Sequence, residues 1–271
     1  MPFRIPFAGE GELFTPDSVL SHCYGALLPM FTTKEATVLR QLCREFKEAV
    51  AGFPWEDGKT VIRGSVAAWR ACFPRARWAN VSQMWKGRVT PVVDADFVHF
   101  VGLRRLDMSW CKSITDAAFV HLKGIHTLDM AVCSQSAITD AAFVHLTGIH
   151  TLDMTSCNQV AITDAAFVHL KGIHTLLITN CYQVTITDAA FAHLKGIHSL
   201  SLFDCPQLTS AVFAHLKGVK RLNIGHSTQL TLTDDSLKGI EWLNMRNHSQ
   251  AQVEQTKGLG YPVNQSHYAG T

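Results

Sequence analysis

Residues 124–147, 148–171 and 172–195 read GIHTLDMAVCSQSAITDAAFVHLT, GIHTLDMTSCNQVAITDAAFVHLK and GIHTLLITNCYQVTITDAAFAHLK. One unit is written three times with a period of 24 residues, and looser copies flank it on both sides. A fixed period of this length means stacked units, none of which can bury its apolar face alone. In the first copy the apolar residues are Ile125, Leu128, Met130 and Cys133, followed by Ile138, Phe143 and Leu146. Alternation around Leu128 and Met130 suits a strand buried on one side, and the later spacing suits a short amphipathic helix.

Working outward, strand starts fall at Leu103, Ile125, Ile149, Ile173, Ile197, Val219 and Ile240, spaced 22, 24, 24, 24, 22 and 21 residues. An irregular first unit precedes them, with a strand over Phe73–Val81, a longer connection and a helical half at 92–101. The expected architecture is therefore an α/β solenoid of about eight coils over residues 73–261. Parallel strands would line the concave face of a horseshoe and short helices its convex face, with 262–271 a C-terminal tail. In the second half of each unit Ile-Thr-Asp supplies a Thr cap and an Asp in the first helical turn. Phe119 and Leu122, like Phe143 and Leu146, turn to the core, and Gly124 and its equivalents end the helices. The run L-x-x-L-x-L-x-x-C followed by I-T-D resembles the cysteine-containing leucine-rich repeats. That resemblance implies a recognition solenoid of the kind commonly found behind F-boxes in ubiquitin-ligase receptors, where the repeats grip a protein substrate.

Ahead of the repeats, residues 1–13 are rich in Pro and Gly and read as a flexible arm. Thr15-Pro16-Asp17 begins a helix, and Thr32 or Thr33 begins a second whose stripe is Ala36, Leu39, Leu42, Cys43 and Phe46, ending near 49–52. A further short helix is expected at 64–71, which makes 14–72 a helical unit. The stretch TPDSVLSHCYGALLPMFTTKEATVLRQLCREFKEAVAGFPW, residues 15–55, resembles an F-box, with its Leu28-Pro29 break, Cys43-Arg44-Glu45-Phe46 and downstream Trp55. It departs from that motif in having Thr-Pro where Leu-Pro is usual and Cys23-Tyr24 where Ile-Phe is usual. The resemblance implies docking on the adaptor subunit of a cullin–RING ubiquitin ligase through Leu20, Tyr24, Leu27, Leu39, Leu42 and Phe46. The same helices can instead simply seal the apolar end of the solenoid, which every such array requires.

The chain has 271 residues, 47% of them hydrophobic, and a formal charge of +2. So small a charge argues against a nucleic-acid partner held by phosphate contacts. No apolar run reaches spanning length, so no membrane partner is expected. The N-terminus MPFRIPFAGEGELF carries Pro and acidic residues where a secretory signal would be apolar, so an intracellular location is expected. Of the eight cysteines, Cys111, Cys133, Cys157, Cys181 and Cys205 recur at one repeat position. Stacked coil on coil, they form a buried column of weakly hydrogen-bonding thiols, and no C-x-x-C or Cys/His grouping suggests a metal.

Two histidine rows recur, His126, His150, His174 and His198 near the concave rim, and His99, His121, His145, His169, His193 and His215 on the helices. Duplication alone makes such rows, and adjacent protonated rings repel, so neither cofactor nor metal is expected. No phosphate loop, nucleophile elbow or metalloprotease helix is present, which leaves no candidate catalytic residue. The expected partner is a protein on the concave face, read by Arg104, Arg105, Asp107, Trp110, Asp129, Asp153, Phe203, Asp204, Lys220, Arg221 and Asn223. The two residues before each repeat cysteine vary while the framework does not, and Trp110 and Phe203 are the aromatic anchors expected there.

Overall fold

A strand whose alternate residues must face a core and solvent can stay three residues long if identical strands stack beside it. The computed structural model, which describes residues 24, 26–83, 91–135, 137–232 and 238–264, has this arrangement. Nine strands form one parallel sheet in sequence order: β1 (Trp78–Asn80), β2 (Arg105–Asp107), β3 (Thr127–Asp129), β4 (Thr151–Asp153), β5 (Thr175–Leu177), β6 (Ser199–Ser201), β7 (Arg221–Asn223), β8 (Trp242–Asn244) and β9 (Val263–Asn264). The register is that of the sequence repeat, with Leu106, Leu128, Leu152, Leu176, Leu200, Leu222 and Leu243 in one row. The fold is a leucine-rich-repeat solenoid.

In the coils between 103 and 216 seven apolar positions fill the interior: Ile125, Leu128, Met130, Cys133, Ile138, Phe143 and Leu146 are all buried, as are their equivalents. The cysteines do more than fill space. Cys133, Cys157 and Cys181 donate from Sγ to the backbone oxygens of Met108, Met130 and Met154 in the preceding coil, at 3.2, 3.0 and 3.2 Å. Burial pushes the Cys181 thiol up to about 12, so it stays protonated and able to donate. Where the repeat loses its cysteine, Ser227 donates to Leu202 O at 2.6 Å and His248 Nε2 meets Ile224 O at 2.9 Å. The change of residue type therefore preserves a donor for a buried carbonyl.

On the convex side, Thr139 caps its helical turn by accepting from Ala141 N at 3.2 Å. The following Asp has a role the sequence did not reveal. Asp116 accepts from both the amide and the hydroxyl of Thr139 in the next coil, at 2.8 and 2.7 Å. The clamp recurs from Asp94 to Thr115, Asp140 to Thr163, Asp164 to Thr187 and Asp188 to Thr209. Its carboxylates tie coil to coil while also sitting at a helix N-terminus. Gly124, at φ 82°, then turns the chain back toward the sheet.

The N-terminal unit differs from the expectation in two respects, the division of its second helix and the start of the first strand. The stripe expected on one helix is divided between α1 (Thr33–Leu39) and α2 (Arg44–Gly52), because Cys43 is extended and starts a new helix. The break leaves Leu42 and Cys43 exposed and lets Val50 reach the core, where Trp55 Nε1 donates to Val50 O at 2.8 Å. Helix α3 (Val66–Cys72) starts at Ser65, which caps Ala68 N. Leu28, Ala36, Val50, Trp55, Phe73 and Ala76 make a second small core, so Phe73 belongs to the helical unit and the first strand begins only at Trp78. Trp69 packs against both cores, and Arg70 reaches Ala76 O and Val101 O at 3.0 and 2.7 Å. Val61 bridges to Asn80 and covers the first sheet edge.

The C-terminal end also departs from the expectation of a plain tail from 262, since Val263 and Asn264 form a strand. A helix spans Gln250–Gly258, started by a Ser249/Gln252 capping box, and buries Val253 and Thr256. Its apolar side is only two residues wide, too narrow to stand out in a polar sequence. The chain then adds β9 to the sheet, pairing with β8.

Candidate recognition face

Because every coil has the same register, concave side chains line up in columns, and each column can be followed across the sheet. The rim column before the strands runs Arg77, Arg104, His126, His150, His174, His198, Lys220 and Glu241. The next runs Trp78, Arg105, Thr127, Thr151, Thr175, Ser199, Arg221 and Trp242. The third runs Asn80, Asp107, Asp129, Asp153, Leu177, Ser201, Asn223 and Asn244. A fourth, just past the strands, runs Ser109, Ala131, Thr155, Thr179, Phe203, Gly225 and Arg246.

In the middle coils these columns are uniform. The imidazoles of His126, His150, His174 and His198 stack with centroids 4.5, 4.5 and 4.4 Å apart. Burial and then the neighbouring rings lower the pKa of His150, so that ring favours the neutral form. The carboxylates of Asp107, Asp129 and Asp153 each accept a backbone N–H two residues on, from Ser109, Ala131 and Thr155 at 3.0, 2.9 and 2.8 Å. Burial, then repulsion from Asp153, raises Asp129 to about 7. Among the described residues no group of three or more His, Cys, Asp or Glu is arranged to hold a metal ion.

Toward the C-terminal end all four columns change. Asp gives way to Leu177, Ser201, Asn223 and Asn244, Thr to Ser199, and Thr179 is followed by Phe203, Gly225 and Arg246. The smaller side chains open a hollow of about 350 Å³. Leu177 and Phe203 form apolar wall, and Arg221, Trp242, Asn244 and Arg246 close the far side. Phe203 lies over Gly225, where a Cβ would come within 3.0 Å of the ring, and packs on His226 at 4.5 Å. Arg221 lies over the Trp242 indole, 5.4 Å from its centroid. Asn223 donates to Ser201 Oγ at 3.1 Å, and Asn244 accepts from Arg246 N at 3.0 Å. At the opposite end of the sheet, Arg105 lies over Trp78 at 5.1 Å beside a smaller cleft of about 160 Å³.

The residues expected to read a partner are thus divided. Phe203, Arg221 and Asn223 meet in the hollow. Asp107, Asp129 and Asp153 form the middle column, and Arg104 and Arg105 lie at the N-terminal cleft. Trp110 and Asp204 sit on the turn beyond the strands with φ 64° and 53°, and Asp204 accepts from Tyr182 at 2.6 Å. Lys220 is turned to Glu241 and Gly239 O at 3.3 and 3.2 Å. Trp242, Asn244 and Arg246 lie outside the expected set, because their coil has His248 where the repeat has cysteine. Aligning 240–246 with 219–225 would have found them.

In the helical unit, Leu20 lies outside the described residues. Tyr24 packs on Phe46 at 5.0 Å, and Leu39 packs half-buried on the small core. Leu27 and Leu42 are exposed, together with Met30 and Val38, which the sequence reading had not included.

No protein family and no curated protein matches this chain. Among solved structures it resembles TLR13 in the TLR13–ssRNA13 complex, with a TM-score of 0.54 at 21% identity, over 68% of this chain and 26% of that one. It also resembles Toll of Drosophila in the Toll–Spatzle complex, with a TM-score of 0.54 at 13% identity, over 75% and 31%. The chain therefore spans about a quarter to a third of these proteins, and the likeness is one of fold. Among the described residues no helix is long and apolar enough to cross a membrane.

Proposed function

We propose that this chain is a recognition module that holds a protein partner on its concave face, at the hollow between Leu177 and Arg246. The observation that carries the reading is the hollow itself, a concave, partly apolar site with convergent polar groups on an otherwise regular sheet. Of the two similar solved chains, one is in complex with Spatzle and the other with ssRNA13. The small net charge favours a protein here. Affinity capture with the intact chain, run beside a Ser199→Trp variant that fills the hollow and with a nuclease-treated arm, tests this. A protein retained by the wild type and lost with Ser199→Trp supports it, while retention that Ser199→Trp leaves unchanged, or that nuclease removes, contradicts it.

The helical unit would give this module its destination, docking on the adaptor subunit of a cullin–RING ubiquitin ligase. Support comes from four exposed apolar side chains in this unit, Leu27, Met30, Val38 and Leu42. Pull-down of the adaptor by the intact chain, abolished by Leu27→Asp with Leu42→Asp, is the expected result. Failure of the wild type to retain the adaptor leaves the helices as a cap of the solenoid.

A further inference from the structure

We infer that the hollow receives an anionic side chain, a carboxylate or a phosphate, next to an apolar residue of a partner peptide; this rests on the recognition reading and names its chemistry. Three independent features converge. First, the carboxylate column ends at Asp153, and Leu177, Ser201, Asn223 and Asn244 take its place, which removes the negative charge that would repel an anion. Second, the guanidiniums of Arg221 and Arg246 both line the hollow, and among the described residues neither has a carboxylate partner. Arg221 lies beside Trp242, 5.4 Å from the ring centroid, and its N–H donors make no hydrogen bond among the described residues, so they can pair with a planar or tetrahedral anion. Third, Asn244 lines the same hollow while only 2% exposed. Its oxygen is used by Arg246 N, and its amide nitrogen has no partner among the described residues. That nitrogen is free to donate to an anion held in the hollow.

The apolar half of the hollow completes the specificity. Leu177 and Phe203 flank the polar floor and offer contact to a hydrophobic neighbour of the acidic residue. Gly225 suits that wall, since a Cβ there would press on the Phe203 ring at 3.0 Å.

Short immobilised peptides with random flanks and a central Glu, phosphoserine, Gln or Lys, probed with the intact chain, test the inference. The Glu or phosphoserine pool should bind about tenfold tighter than the Gln and Lys pools, as charged hydrogen bonds in a partly dry site imply. Arg221→Gln with Arg246→Gln should erase that preference, and the stronger of the two anionic pools identifies the source of the charge. Equal binding of Glu and Gln pools, or a preference that survives in the double variant, overturns the inference. If equal binding is abolished by Ser199→Trp, the recognition reading stands and only the anion is wrong. Binding by no pool, or binding indifferent to Ser199→Trp, counts against both.

Discussion

The coils from 124 to 195 and those from 196 to 246 share one backbone and one register, yet their concave faces have different chemistry. The first set presents stacked imidazoles, a threonine row and a carboxylate row, all repeated because the unit was repeated. The second keeps the buried leucines and the donors to buried carbonyls but replaces nearly every concave side chain. What the two sets hold in common supports the solenoid, and what distinguishes the second set is the hollow, which begins at Leu177 and Thr179 on the last coil of the first. Regularity marks the scaffold, and departure from it is where we propose that recognition takes place.

The largest effect that would sharpen this comparison is in the shared framework. Ser227→Ala removes the donor to Leu202 O and the acceptor for Cys205 N, both buried, and should cost about 1–3 kcal/mol in urea unfolding. Cys157→Ser keeps a donor toward Met130 O and should cost clearly less. If Ser227→Ala proved harmless, the buried column would not be under common constraint in the two regions.

A smaller effect separates the carboxylate row from the hollow. Asp129 is raised to about 7 when folded, above its ordinary value near 4, so the folded state binds its proton more tightly. Stability from this group is therefore full below about pH 4 and falls as pH rises toward about 7. Asp129→Asn keeps an oxygen for Ala131 N and should stabilise by about 1–2 kcal/mol at pH 8 and hardly at all at pH 4. Thermal melts at the two pH values check it, and equal gain at both would contradict the sign.

The smallest effect concerns the residue before each repeat cysteine, which has positive φ in every coil from Trp110 to Asn247. Asn180, Asp204 and Asn247 suit that conformation, whereas Val132, at φ 59°, is β-branched and strained there. Val132→Asn should raise stability by about 0.5–1 kcal/mol, read as a higher melting temperature. The variation at this position thus has a backbone component, where sequence alone suggested only a surface diversified for contact.

The sheet, its register and the cysteine column were legible because identical residues recur at fixed spacing and each answers to one local rule. The Asp140–Thr163 clamp was not, since it joins residues 23 apart on different coils, and an Asp in a first turn already had a sufficient local explanation. The break at Cys43 was hidden by an apolar stripe that a single helix would also satisfy. The hollow was half legible. Phe203, Arg221 and Asn223 are expected site residues, but the space they border lies beside the small side chains of Ser199 and Ser201 and extends to coils whose Ser227 and His248 stand where the repeat has cysteine.

The central claim is tested most directly by one substitution made at two places in the same column. Thr151 and Ser199 are both half-exposed and point from the concave face, one in the uniform coils and one in the hollow. With a captured partner in hand, its binding to Thr151→Trp and to Ser199→Trp is measured against wild type. The account predicts that Ser199→Trp abolishes binding while Thr151→Trp stays close to wild type. Loss with Thr151→Trp and retention with Ser199→Trp would place recognition in the uniform coils and contradict it.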